Sequence, residues 1–107
     1  MVTDAFAKKL ILDELFDLSL YREFAKIAGP ESKAMFDELI PIEEKHLAFW
    51  QTFFRRADIK KLNFTRRMKL FLLVSVARLF GEDVMHLILE AIEIYGIRKY
   101  LTLWDIY

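Results

Sequence analysis

The stretch from Glu14 to His46, ELFDLSLYREFAKIAGPESKAMFDELIPIEEKH, decides how the whole chain is read. At its centre Ala28-Gly29-Pro30 ends one helix and begins another, because glycine tolerates a left-handed stop and proline cannot continue the hydrogen-bond ladder. Before that turn, Ala7, Leu10, Ile11, Glu14, Leu18, Tyr21 and Ala25 recur at spacings of three and four, which marks one buried helix face. After it, Phe36, Leu39, Ile40, Glu43, His46, Trp50 and Phe53 form a matching stripe. Each stripe carries an acid where a core residue belongs. A carboxylate on a core face is costly unless it is paired, protonated or bound to a metal.

The two anomalies share one level. With the turn centred between Gly29 and Pro30, Glu14 lies 15.5 residues before it, and Glu43 and His46 lie 13.5 and 16.5 residues after it. At about 1.5 Å per residue, an antiparallel hairpin brings all three to nearly the same height. Glu43 and His46, three apart, share a helix face. Two carboxylates and an imidazole between long helices suit divalent iron or manganese, which accept oxygen and nitrogen donors and need no thiolate. A Glu on one helix and Glu-x-x-His on the next is half of the di-iron carboxylate pattern.

Working outward, the first helix is expected from Asp4 to Ile27, capped by Thr3 or Asp4. The second is expected from Glu31 or Ser32 to about Arg56, kinked at Pro41. A polar connection over 57–63 leads to Thr65 as the cap of a shorter helix, Arg66 to Phe80. Gly81 breaks it, and a fourth runs from Glu82 toward Trp104. The expectation is an all-α bundle of three long helices and one short connecting helix, a single domain over 1–107.

Composition narrows the class further. At 107 residues there is no room for a second core, and 55% hydrophobic residues exclude disorder. Three glycines and two prolines are too few for a turn-rich β fold. The absence of cysteine excludes disulfides and thiolate metal sites, and it fits a reducing cytoplasm. Sixteen basic and sixteen acidic side chains cancel, so no global field draws the chain to nucleic acid. The most apolar run, Leu70 to Ala77, falls far short of the roughly 20 residues of a bilayer span. The basic group of Arg55, Arg56, Lys60, Lys61, Arg66, Arg67 and Lys69 reads as a solvated connector. Asp83-x-x-His86 mimics a ligand pair, but His86 reads as a partly buried or interface histidine.

Glu14-x6-Tyr21-Arg-Glu-Phe-Ala25-Lys, followed by Glu43-Glu44-Lys45-His46, resembles the first half of a rubrerythrin, in the ferritin-like superfamily. Glu93-x6-Tyr100 repeats the spacing of Glu14-x6-Tyr21, and Glu90 matches the extra carboxylate that rubrerythrins carry on their third bundle helix. Arg78-Leu-Phe-Gly81 with Leu89-Glu90-x-x-Glu93 is similar to the ferritin-like domains that precede vacuolar-iron-transporter-type membrane domains. The resemblance implies two iron ions, or manganese or zinc on the same donors, held by Glu14, Glu43, His46, Glu90 and Glu93. It also implies Tyr21 and Tyr100 hydrogen-bonding the ligand carboxylates. The chemistry it implies is oxidation of Fe(II) by oxygen or peroxide, with metal sensing or delivery to a membrane transporter as the alternative, at the membrane surface; a purely structural dimerisation bundle is the third reading.

The family's fourth bundle helix brings a second Glu-x-x-His, which is not found before Tyr107. The missing ligands are therefore expected from a second subunit in a homodimer or higher oligomer, or from a longer protein of which this chain is a fragment. Rubrerythrins reduce peroxide through a separate cysteine-bound iron, and with no cysteine here any electron donor would be another protein.

Overall fold

The structure is a computed structural model that describes residues 3–93, and among these every regular element is helical. Helix α1 spans Asp4–Ile27, α2 Pro30–Phe53 and α3 Phe64–Phe80, and α4 is described over 82–93. The result is an all-α bundle organised around the α1–α2 hairpin. None of the helices, over the described residues, is long and apolar enough to cross a membrane.

Helix α1 starts where Thr3 accepts a hydrogen bond from the Phe6 amide at 3.1 Å. Asp4 in its first turn and Lys26 in its last complement the helix dipole. It is the central element and buries residues on more than one face. Phe16, Leu20, Tyr21 and Phe24 join Phe36 of α2, Val74 and Ala77 of α3, and Met85 and Leu89 of α4 in the larger apolar cluster. Ile11, Leu12, Leu15 and Leu18 form a second cluster with Leu47 and Ile59.

Helix α2 begins one or two residues earlier than expected, with Pro30 in its first turn and extended Gly29 as the cap. Proline fits there because that position has no intrahelical amide bond to lose. Gly29 has no side chain to cap the helix. Its own amide instead donates to the Glu82 carboxylate at the start of α4. A Cβ at position 29 would lie 2.9 Å from Glu82 Oε1, the end of a flexible side chain that would have to shift to admit it. The helix runs unbroken through Pro41, whose exposed ring leaves the Asp37 carbonyl a turn earlier without an amide donor.

The end of α2 falls at Phe53, not near Arg56. Arg55 turns left-handed (φ 57°), and the Arg56 amide then reaches back to the Gln51 carbonyl at 2.8 Å. That closing turn usually takes glycine, so Arg55 offers no stop signal to read. Helix α3 likewise starts earlier than expected. Asn63, not Thr65, is its cap and accepts from the Arg66 amide at 3.0 Å, in keeping with the stronger capping preference of asparagine. Gly81, at φ 90°, ends α3 where expected.

Two ion pairs fix the connection to α1. Arg66 holds Asp13 at 2.8 Å, and Arg56 bridges Asp4 at 2.6 Å and Asp58 at 3.0 Å. Lys69 lies 4.9 Å over the Phe16 ring. Three of the seven basic residues, Arg56, Arg66 and Lys69, thus tie the connector and α3 to α1.

Candidate metal centre

Midway along the hairpin, one ligand atom from each of Glu14, Glu43 and His46 lies within 4.8 Å of the other two. Glu14 comes from the middle of α1 and is only 2% exposed. The Glu43 side chain, at 17%, stands at the edge of the α1–α2 seam, and that of His46, at 49%, stands half outside it. His46 Nδ1 is 3.7 Å from Glu43 Oε1, an ion-pair separation rather than a hydrogen bond. The cluster therefore grades from interior to solvent over a single helical turn.

The donor set fits a divalent ion. Donors held at about 2.1 Å from one ion lie about 3.0 to 4.2 Å apart in octahedral geometry, so the 4.8 Å limit closes with small side-chain rotations. Two carboxylates cancel the charge of one divalent ion, and a neutral imidazole adds nitrogen. Three protein donors leave further positions for water or another ligand.

Tyr21 stands beside this group, two turns along α1 from Glu14, and is buried against Phe36 with ring centroids 6.0 Å apart. Burial holds its hydroxyl protonated well above the usual phenol range. The fields of Asp17, Glu43, Glu93 and Glu14 act in the same direction. A neutral phenol facing carboxylates is a hydrogen-bond donor at any ordinary pH. Asp17, four residues before Tyr21 on the same helix, is a member of this acidic surround that the sequence reading passed over, although the i, i+4 spacing was there to see.

Glu90 and Glu93 lie outside the three-residue group, and both positions are exposed. The contact of Glu82 with Gly29 puts the start of α4 at the level of the hairpin turn. Glu93, eleven residues on, is then about 16 Å down the bundle, against about 22 Å for Glu14, fifteen residues from the turn. Glu93 is thus about one turn short of the site, near enough to act on Tyr21, and Glu90 is nearly another turn away. Tyr100 lies outside the described residues. His86 is directed elsewhere: its Nε2 is 3.1 Å from the hydroxyl of buried Ser32, where α4 meets the start of α2.

The buried line of α2 differs from the expected stripe. It passes through Ser32, Phe36 and Leu47, with Glu43 at its edge, while His46 and Phe53 turn outward. A stripe chosen by hydrophobicity alone mixed the inward line with a neighbouring apolar line on the outer face. The aromatic end of the helix is self-packed, with Trp50 stacked on Phe54 at 5.6 Å and Phe49 on Phe53 at 5.8 Å.

No protein-family profile, no curated protein and no solved structure matches this chain.

Proposed function

We propose that this chain is a ferritin-like metal-binding domain that takes up iron at Glu14, Glu43 and His46 and promotes oxidation of Fe(II). The observation that carries the reading is the meeting of the three donors within 4.8 Å around a carboxylate that is 2% exposed. A carboxylate so deep in a helical seam, beside a second carboxylate and an imidazole one turn apart, suits a divalent cation. When iron is bound, it supplies electrons to an oxidant: two Fe(II) give one electron each to dioxygen, which takes up two protons and leaves as hydrogen peroxide.

The protein's share of that chemistry follows from its own side chains. Glu14, fixed by burial, sets the position of the ion. Glu43 shares the charge at the edge of the seam. His46, half exposed, faces the side from which ions and oxidant arrive. Tyr21 stays protonated and supplies a donor to the surrounding carboxylates, which orients them.

The test is Fe(II) uptake and the rate of its oxidation in air, against buffer alone. The expected result is binding with faster oxidation, both lost in Glu43→Ala. The half-exposed His46 also supports a second reading, a carrier that exchanges its ion with a partner such as a transporter domain, at the membrane surface of the cytoplasm. That reading requires reversible Fe(II) binding with no gain in oxidation rate.

A further inference from the structure

The connector after α2 and the first half of α1 wall a cavity of about 490 Å³, within the size range of small-molecule sites. Lys8 lines it from α1, and Arg56, Lys60 and Lys61 line it from the connector. Counted along the chain, the connector's cations look like a solvated run. Folding adds Lys8 from another helix and sets all four around one space. The floor is apolar, made by Leu12 and Ile59, which are 5% and 8% exposed and belong to the second cluster.

The backbone that carries these cations is fixed by contacts of its own. Arg56 grips Asp58 through Nε and Nη2 and Asp4 through Nη1, and the Gln51 side chain donates to the Ile59 carbonyl at 2.8 Å. With both carboxylates held by one guanidinium, the pocket keeps an excess of two positive charges. Lys8, Lys60 and Lys61 are exposed, and none of them forms a hydrogen bond or ion pair with a described residue. The pocket's acid senses that field. The Asp58 carboxyl is held below the usual carboxylate range, first by hydrogen bonds from Arg56, with the charges of Arg56 and Lys8 acting in the same direction.

We propose that this pocket binds the phosphoryl group of a small phosphate ester, with the three lysines on its oxygens and the ester's apolar part on Leu12 and Ile59. A phosphoryl dianion matches the excess charge, and its three terminal oxygens give one acceptor to each ammonium group. Ammonium groups are compact point charges, so they favour concentrated anionic charge. A carboxylate brings half that charge, and the planar fork that would grip it bidentately, Arg56, is already filled by Asp58. Three like charges around one space repel each other, and a bound dianion reverses the sign of that interaction, so it stabilises the fold. The site is independent of the metal-binding reading. A soluble ester and the headgroup of an anionic lipid present the same chemistry, and the experiment separates them.

The experiment is calorimetric titration of the full chain with phenyl phosphate at low ionic strength, with benzoate as the singly charged counterpart. One phenyl phosphate per chain is expected, bound about tenfold or more tighter than benzoate. Lys8→Gln with Lys61→Gln, both at exposed positions, is expected to lower that affinity by about tenfold or more while circular dichroism stays unchanged. Lys33→Gln with Lys45→Gln removes the same charge elsewhere on the surface and is expected to bind as the wild type does. A wild-type chain that binds neither phenyl phosphate nor phosphatidylcholine vesicles containing phosphatidic acid overturns the proposal. Equal affinity for benzoate, or an equal loss in the two double variants, does so as well. Retention on those vesicles without binding of phenyl phosphate, if lost in Lys8→Gln with Lys61→Gln, keeps the phosphoryl site and assigns its ligand to a lipid headgroup. Retention that survives those substitutions overturns it.

Discussion

Helices α1 and α3 are both apolar and both begin at a side-chain cap, yet they are used in opposite ways. Helix α1 buries eleven residues, one of them a carboxylate, whereas α3 buries only Val74 and Ala77 and leaves Phe64, Phe71, Leu79 and Phe80 to solvent. The difference does not lie in composition. Helix α1 has neighbours around most of its circumference, and α3 touches the bundle along one narrow edge. Apolar content states how much surface a helix could bury; the number of neighbours decides how much it does bury.

That contrast can be broken most directly by truncation in the two helices. Phe24→Ala, in the centre of the larger cluster, is expected to cost about 3–5 kcal/mol in urea unfolding, whereas Phe71→Ala should change stability by no more than about 0.5 kcal/mol. Equal losses at the two positions would mean that the outer face of α3 is covered in solution. A sharper version concerns the one acid that α1 buries. At metal concentrations a hundredfold above the dissociation constant, the wild-type chain should gain about 2.7 kcal/mol, and Glu14→Leu should gain none. Thermal melts with and without Mn(II) read both terms.

The smallest effect is silent at neutral pH. The phenol of Tyr21 is raised from 10.0, first by burial and then by the acids around it. Its contribution is complete below about pH 10, where the phenol is neutral in both states. Above that, the unfolded chain gains stability by ionising a phenol that the fold keeps protonated, so folding stability falls with rising pH. Tyr21→Phe should flatten this alkaline slope in urea midpoints measured from pH 8 to 11.5. A slope unchanged by the substitution would mean that the fold does not hold this phenol protonated.

The legible parts of the molecule were those set by counting along the chain. The hairpin turn at Gly29-Pro30, the limits of α1 and the common level of Glu14, Glu43 and His46 follow from periodicity and helical rise, and the structure has them at those places. Legibility failed where a tertiary contact does the work of a local signal. Arg55 adopts a left-handed turn with no glycine to announce it, and the amide at the start of α2 is satisfied by Glu82, far along the chain. The outward turn of His46 and Phe53 was hidden for another reason. Two apolar lines run side by side on α2, and hydrophobicity alone cannot say which one meets α1.

The contact between Gly29 and Glu82 also bears on the order in which the chain becomes organised. The amide and its acceptor are 53 residues apart, and Ser32 and His86, just beside them, are 54 apart. When the hairpin first emerges in synthesis, the start of α2 has neither partner, and both arrive only after the connector and α3 have been made. Sequence separations this long carry a loop-closure cost that local helix contacts do not. The α1–α2 hairpin can therefore form early from its own contacts. The end of the bundle at its turn is locked last, by the first residues of α4.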